Sequence, residues 1–497
     1  MKKFVKQTAK WVTASTFMAG ILFPSGLTIS ASEKDYPVKG AYHPAVTSPV
    51  HLKTPFQSQF MNKQGQDIFG PANPNYKMNV YYDSINHTIQ GKMTVTFMNN
   101  TRTQLNELYF NLWGNAETSK ENGGSMSVSN VKVNGKTAKF AVDSTALHIS
   151  SVQIPNNQKS TVSMDFVVHV PEQQDRFGWN KNTVSLGNWF PILAVYDKEG
   201  WNVDAYFPYG ESFYSLTGDF DVTLTTDKDQ VIATTGTEAG QPHISGNLAT
   251  HHYKAKQVRD FAIEMDPAYK VKQKKVNNVN INVYYTDEQA KYADSMLEAG
   301  VESIKLFSDR FGEYPWPELD IVGMEGWFGG MEYPQLTMIS IAKNPSQEWV
   351  KNVTAHEIGH QWFYGIIGNN EHDEPWLDES FASFAAALYS KELDQLKAEP
   401  VGDYHLSYPV STFAERAAEG GIEAYYKTIY GYGSRTVNDL RLELGDEVFY
   451  KAMKDYFNEK KFGVSTTKDF IQIMEKSTGR DLTNFFASHR IFVSDQE

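Results

Sequence analysis

The sequence predicts an α+β chain of more than one domain, an antiparallel β domain first and a helix-rich domain after it. Three observations predict this. From Met78 to about Lys254 apolar and polar residues alternate with period two, the pattern of half-buried strands. After Asp260 the apolar spacing lengthens to three and four, the pattern of amphipathic helices. One of those helices carries two histidines four residues apart, at 356 and 360.

The elements follow in order. Lys2, Lys3, Lys6 and Lys10 precede an apolar stretch from Trp11 to Leu27, and Ser30, Ala31 and Ser32 follow. Charge, apolar run and small residues in that order predict a secretory signal over residues 1–31. Pro24 and Gly26 make the stretch a poor bilayer span; an uncleaved anchor is the alternative, and no other stretch could cross a membrane. Residues 32–74 are polar and proline-rich without a period, which predicts an extended leader. Residues 75–258 form the β domain: Ile89, Met93, Val95 and Phe97 alternate with polar neighbours, as do Val162, Met164, Phe166 and Val168. Asn134-Gly135 and Asn156-Asn157 supply turns between such runs. Residues 259–497 form the second domain. Strands are expected at 261–265, 279–285 and 319–323, a long helix from Glu288 to Phe311, and short helices at the C-terminal end.

Composition narrows the setting. Apolar content of 41% and aromatic content of 13% fit a packed globular protein rather than a disordered one. With no cysteine in the chain, disulfides, thiolate metal sites and a cysteine nucleophile are excluded. Removing residues 1–31 removes four lysines and no acid, so the formal charge moves from −13 to −17. Such a surface does not invite nucleic acid. Secretion is the expected location.

The chemistry concentrates at His356-Glu357-Ile358-Gly359-His360, with Glu379 after 18 further residues. Histidines four apart on a helix lie roughly 40° apart around the axis and about 6 Å apart along it. Both imidazoles can therefore reach one metal ion. Glu357 can serve as base toward a water in the open coordination position, and Glu379 from a second helix completes a His, His, Glu zinc set. Asn344-Pro345-Ser346-Gln347 reads as the start of the first helix, with Asn344 as cap. Trp349, Val353, His356, His360, Phe363 and Ile367 form its inward stripe. Gly368-Asn369-Asn370 reads as its end. Asp373-Glu374-Pro375 opens the second helix, Pro375 in the first turn and the two acids favouring its N-terminus.

These residues resemble the aminopeptidase N-like gluzincins, the family that includes the leukotriene hydrolases. Its pattern of H-E-x-x-H, 18 residues, and Glu in a W-L-N-E-G-F-A-like segment is met by His356 to His360 and by Trp376-Leu377-Asp378-Glu379-Ser380-Phe381-Ala382. Its G-x-M-E-N signature is met by Gly329-Gly330-Met331-Glu332-Tyr333, and its Y-x-K-G signature by Tyr430-Gly431-Tyr432-Gly433. The resemblance implies a thermolysin-like, helix-rich zinc catalytic domain with a short helical C-terminal part. It implies one zinc ion held by His356, His360 and Glu379. It implies Glu357 as general base, Tyr430 as donor to the oxyanion, and Gly329, Gly330, Met331 and Glu332 as substrate-binding, with Glu332 taking the free α-ammonium. The expected activity is that of a secreted zinc aminopeptidase acting on peptides with a free N-terminus. Tyr333 departs from the family asparagine, which raises a zinc endopeptidase as the alternative. A non-catalytic binding protein on a peptidase fold is a second, against which stands the complete ligand set.

Overall fold

The structure, a computed structural model, describes residues 69–208 and 210–493. The stretch read as a signal, and the leader as far as 68, lie outside the described residues. The first strand, Ala72–Asp83, begins inside the stretch read as leader. Its apolar residues Tyr76, Met78, Val80 and Tyr82 all point inward while their neighbours face outward, as period two requires.

That strand is central to a nine-stranded sheet. On one side it pairs antiparallel with Thr88–Met98, placing Met78 opposite Met93. On the other it pairs parallel with Gly218–Asp227, placing Met78 opposite Val222. Leu248–Val258, Lys159–His169 and Ser125–Val133 extend the sheet antiparallel. Apolar side chains of its inner face, among them Phe97, Phe166 and Phe220, pack on Trp189 and Phe190 from a loop beneath. Smaller antiparallel sheets close the domain.

The boundary between the two parts differs from the sequence reading. Ile263–Asp266 pairs with Thr183–Leu186 and with Val231–Thr234, both strands of the first part. The changeover therefore falls between Asp266 and Lys270, not at 259. This strand is buried along its whole length, so it carries no alternation from which its membership could be read.

The second part opens on a five-stranded sheet. Val279–Tyr285, Glu318–Met324 and Leu336–Ser340 run parallel, with Lys270–Val276 on one edge and the two-residue strand Gly330–Met331 on the other. The expected long helix is a 3₁₀ segment, Asp287–Tyr292, followed by an α-helix, Ala293–Arg310. It crosses between the first two parallel strands. The helix Gln347–Gly359 follows the third. Helices Trp376–Ser390, Gly433–Leu444, Asp446–Lys460 and Thr467–Thr478 build the rest. Among the described residues, no helix is long and apolar enough to cross a membrane.

Candidate active site

The first ligand helix is shorter than the apolar stripe suggested. Ser346, not Asn344, caps it: its Oγ accepts from the Trp349 N–H at 3.1 Å. Asn344 lies in the left-handed region, φ 56°. The regular helix stops at Gly359, and His360 is its C-cap. Beyond it the amides of Gly365, Ile366 and Ile367 each reach back five residues, to the carbonyls of His360, Gln361 and Trp362. Phe363 and Ile367 therefore lie beyond the regular helix, though both stay buried. The second ligand helix, Trp376–Ser390, has Pro375 as its N-cap. Glu374 serves a different helix: its Oε1 accepts from the Thr467 N–H at 2.8 Å. Asp373 accepts from Asn370 Nδ2 and faces His372.

Gly359 permits the two ligand helices to meet. A Cβ there would lie 3.1 Å from Ala382 Cα and 3.2 Å from Ala385 Cβ, closer than packed carbons tolerate. At this approach Glu379 faces both imidazoles. His356 Nε2 and His360 Nε2 are 3.1 Å apart, and each is 3.2 Å from Glu379 Oε2. Tetrahedral ligands at zinc–nitrogen and zinc–oxygen distances stand about 3.3 Å from one another. The triangle thus fits one zinc ion, and it is a costly arrangement without one. All three side chains are buried, and Glu379 Oε2 makes no well-formed hydrogen bond. His360 Nδ1 lies 3.1 Å from the Phe363 carbonyl; donation there leaves Nε2 bare toward the triangle.

Without a metal the site is crowded with negative charge. Burial opposes ionisation of Glu379, but the neighbouring imidazoles, His360 first, hold its pKa down at about 2. Burial lowers His356, whereas on His360 the carboxylates of Glu332 and Glu379 outweigh burial and raise it well above the usual value. Glu357 is raised well above the usual carboxylate range, by burial first and then by Glu332. A dication would reverse that crowding of negative charge. Tyr430 is raised by burial and by Glu379, so its phenol stays a neutral donor. Its hydroxyl bonds Glu379 Oε1, and its ring stacks on His356 with centroids 5.9 Å apart. Tyr430 sits on a π-helix, Tyr426–Tyr432. Ser380, where the family pattern has glycine, donates to the Ile429 carbonyl at 2.7 Å. That bond ties the ligand helix to the tyrosine segment.

A cleft of about 650 Å³ gathers most of the expected residues: Gly329, Gly330, Glu332, His356, Glu357, His360, Glu379 and Tyr430 all line it. Ligand atoms of Glu332, Glu357 and His360 lie within 4.8 Å of one another. Met331, expected among the substrate-binding residues, does not line the cleft. It is buried behind the wall, with its sulfur 3.1 Å from Arg176 Nη1. Strand alternation is the reason: Gly330 and Glu332 face one side and Met331 the other. Tyr333 also points away, its hydroxyl donating to Asn188 Oδ1 at 2.7 Å inside the first domain.

Sequence reasoning missed four residues. Gln361 follows the second histidine and fastens the helix end to the Glu332 turn. Its Nε2 donates to the Tyr333 carbonyl at 3.0 Å, and its Oε1 accepts from the Gln335 N–H at 2.8 Å. Arg176 and Glu211 come from the first domain, form a buried ion pair and line the same cleft. Gly210, φ 65°, lets the chain turn beside the Tyr425 hydroxyl, 2.7 Å from where a Cβ would be. Only the position of Gln361 beside a ligand could have drawn notice; the other three have no local pattern.

Comparison with known proteins gives the family. Residues 295–489 match the Peptidase family M1 domain. This is an M1 domain of the aminopeptidase N-like gluzincin type. The aminopeptidase N of Lactococcus lactis subsp. lactis is 26% identical over 240 residues, covering 42% of this chain and 28% of that protein. Aminopeptidase 2 of Candida albicans is 24% identical over 298 residues, covering 53% of this chain and 31% of that one. The chain thus spans under a third of the length of these two curated relatives. The M1 zinc metallopeptidase of Deinococcus radiodurans superposes with a TM-score of 0.61 at 15% identity, over 85% of this chain and 94% of that one. The likeness extends through the β domain, outside the matched M1 segment, and concerns fold alone.

Proposed function

We propose that the chain is an exported zinc aminopeptidase that releases N-terminal residues from peptides. One observation carries the reading: a buried carboxylate, Glu332, stands within 4.8 Å of the base Glu357 and of the ligand His360. The nitrogen and carbonyl carbon of one amino acid are about 2.5 Å apart. An ammonium held by Glu332 therefore brings the first peptide bond, and not a later one, to the metal triangle. Glu211, lining the same cleft, gives the ammonium a second carboxyl neighbour. One of the similar solved structures, an M1 zinc metallopeptidase variant of Deinococcus radiodurans, is bound to a Tyr-Ser-Ala substrate, which suits a peptide ligand here.

Zinc held by His356, His360 and Glu379 would supply Lewis-acid polarisation of the scissile carbonyl and of the attacking water. Glu357 takes a proton from that water onto its carboxylate and passes it to the departing amine. Tyr430 turns its hydroxyl from Glu379 to the oxyanion of the tetrahedral adduct. Glu332 holds the ammonium throughout. Tyr333, the residue that raised the endopeptidase alternative, bonds Asn188 away from the cleft and gives that alternative no support. Export rests on the basic, apolar and small-residue order of residues 1–31.

A panel of aminoacyl substrates and peptides, free or acetylated at the N-terminus and with or without chelator, tests the reading. Free substrates should be cleaved one residue at a time, acetylated ones hardly at all, and chelator should stop both. Equal cleavage of free and acetylated peptides would overturn it.

A further inference from the structure

Three consecutive residues of the first domain grip the loop that leads to Glu332. Gln174 Nε2 donates to Glu325 Oε2 at 2.7 Å, Trp327 Nε1 donates to Asp175 Oδ2 at 3.0 Å, and Arg176 Nη1 lies 3.1 Å from Met331 Sδ. Arg176 goes furthest in. It is 6% exposed, and its guanidinium lies over the rings of Phe213 and Phe328, 5.7 and 5.5 Å from their centroids. The same Nη1 pairs with Glu211. Among the described residues, Arg176 is the one arginine or lysine that lines the cleft; the carboxylates there are Glu211, Glu332, Glu357 and Glu379.

This arrangement needs a reason. A buried cation beside a subsite for an ammonium would repel the ligand if it stood free. It does not stand free, because Glu211 and the two aromatic faces absorb its charge. Conversely, Glu211 without Arg176 would be a buried acid crowded by Glu332 and Glu379, with no cation beside it. A planar guanidinium also fixes a carboxylate's direction as an ammonium does not.

We propose that Arg176 is a positioning residue for the amine end of the substrate: it aims Glu211 into the cleft and, through Met331, steadies the strand that carries Glu332. This rests on the aminopeptidase reading. Arg176 touches neither the reacting atoms nor the metal triangle, so its loss should be felt in binding rather than in the chemical step. The first domain then takes part in substrate selection.

The test uses the full, zinc-loaded chain and four variants: Arg176→Met, Arg176→Lys, Glu211→Gln and the double Arg176→Met with Glu211→Gln. Circular dichroism and zinc content report folding. Arg176→Met should raise KM for free-amine substrates about tenfold or more while kcat stays within about threefold. Arg176→Lys should recover part of the loss. Glu211→Gln should resemble Arg176→Met, and the double variant should be no worse than either alone. An unmoved KM, additive losses, or a fall in kcat with no change in KM would overturn the proposal. If Arg176→Met does not fold, Arg176→Lys and Glu211→Gln decide by the same criteria. The parent's preference for free over acetylated peptides is read alongside. If the parent lacks it, the aminopeptidase reading fails and this proposal with it. If the parent has it and Arg176→Met keeps it with unchanged KM, only the role of Arg176 fails.

Discussion

Glu357→Gln removes one charge and one proton acceptor while keeping the side chain's size, and its effects on stability and on turnover should have opposite signs. Glu357 is 4% exposed and faces Glu332 and Glu379. Burial and those carboxylates raise its pKa in the metal-free fold, so its proton is held more tightly there than in the unfolded chain. A raised carboxyl gives stability that is complete below the ordinary carboxylate pKa and is lost as pH rises through the folded value. Glutamine has no such loss. The metal-free variant should therefore be more stable than the parent at about pH 8, and little different from it at about pH 5. Thermal melts of chelator-treated protein at both pH values would show this as a rise of a few degrees that grows with pH. With zinc bound the advantage should shrink, since a dication compensates the carboxylate. Turnover should fall about 10²–10⁴-fold, the usual worth of a general base, at unchanged zinc content, because Glu357 is not in the ligand triangle. The assay is kcat/KM on a free-amine aminoacyl substrate, with zinc measured on the same samples. Activity within about tenfold of the parent, or loss of zinc from the variant, would refute the role assigned to this residue.

Tyr430→Phe should keep its zinc and lose about 10²–10³-fold in kcat, the cost of one oxyanion donor, with KM little changed; an unaffected kcat would assign the phenol to packing. Glu264, in the strand Ile263–Asp266 and not among the residues lining the cleft, is fully buried and pushed up to about 8 by burial. Its stability contribution is present below the ordinary carboxylate range and lost as pH rises through about 8. Glu264→Gln should therefore melt higher than the parent at about pH 9 and no higher at about pH 5, the gain staying below about 5 kcal/mol; equal melting curves at both would contradict the shift.

Local spacing made the cluster of His356, His360 and Glu379 legible in the sequence. Four residues on a helix place His356 and His360 side by side, and the W-L-x-E segment brings Glu379 with its own helix. The helix ends were less legible, because tertiary contacts set them. The chain leaves regular helix at His360 through wide turns, with Tyr364 at φ 131°, and no residue type there announces that. Gly330–Met331 is two residues long, too short for alternation to reveal that Met331 faces away. Arg176 and Glu211 reach the cleft only because the β domain packs against the catalytic one, a contact between residues far apart in the chain. Asp378 shows the limit from the other side. It departs from the family pattern beside a ligand, yet its Oδ2 accepts from Asn369 Nδ2 at 2.9 Å and its Oδ1 from the Glu379 N–H at 2.5 Å. It braces the helix start, a role that only the fold discloses.

Anomalous diffraction from zinc-loaded crystals, recorded at the zinc absorption edge, bears most directly on the site. One peak per chain is expected, about 2.0–2.2 Å from His356 Nε2, His360 Nε2 and a carboxylate oxygen of Glu379. A peak elsewhere, or none in protein that cleaves peptides, would contradict the account.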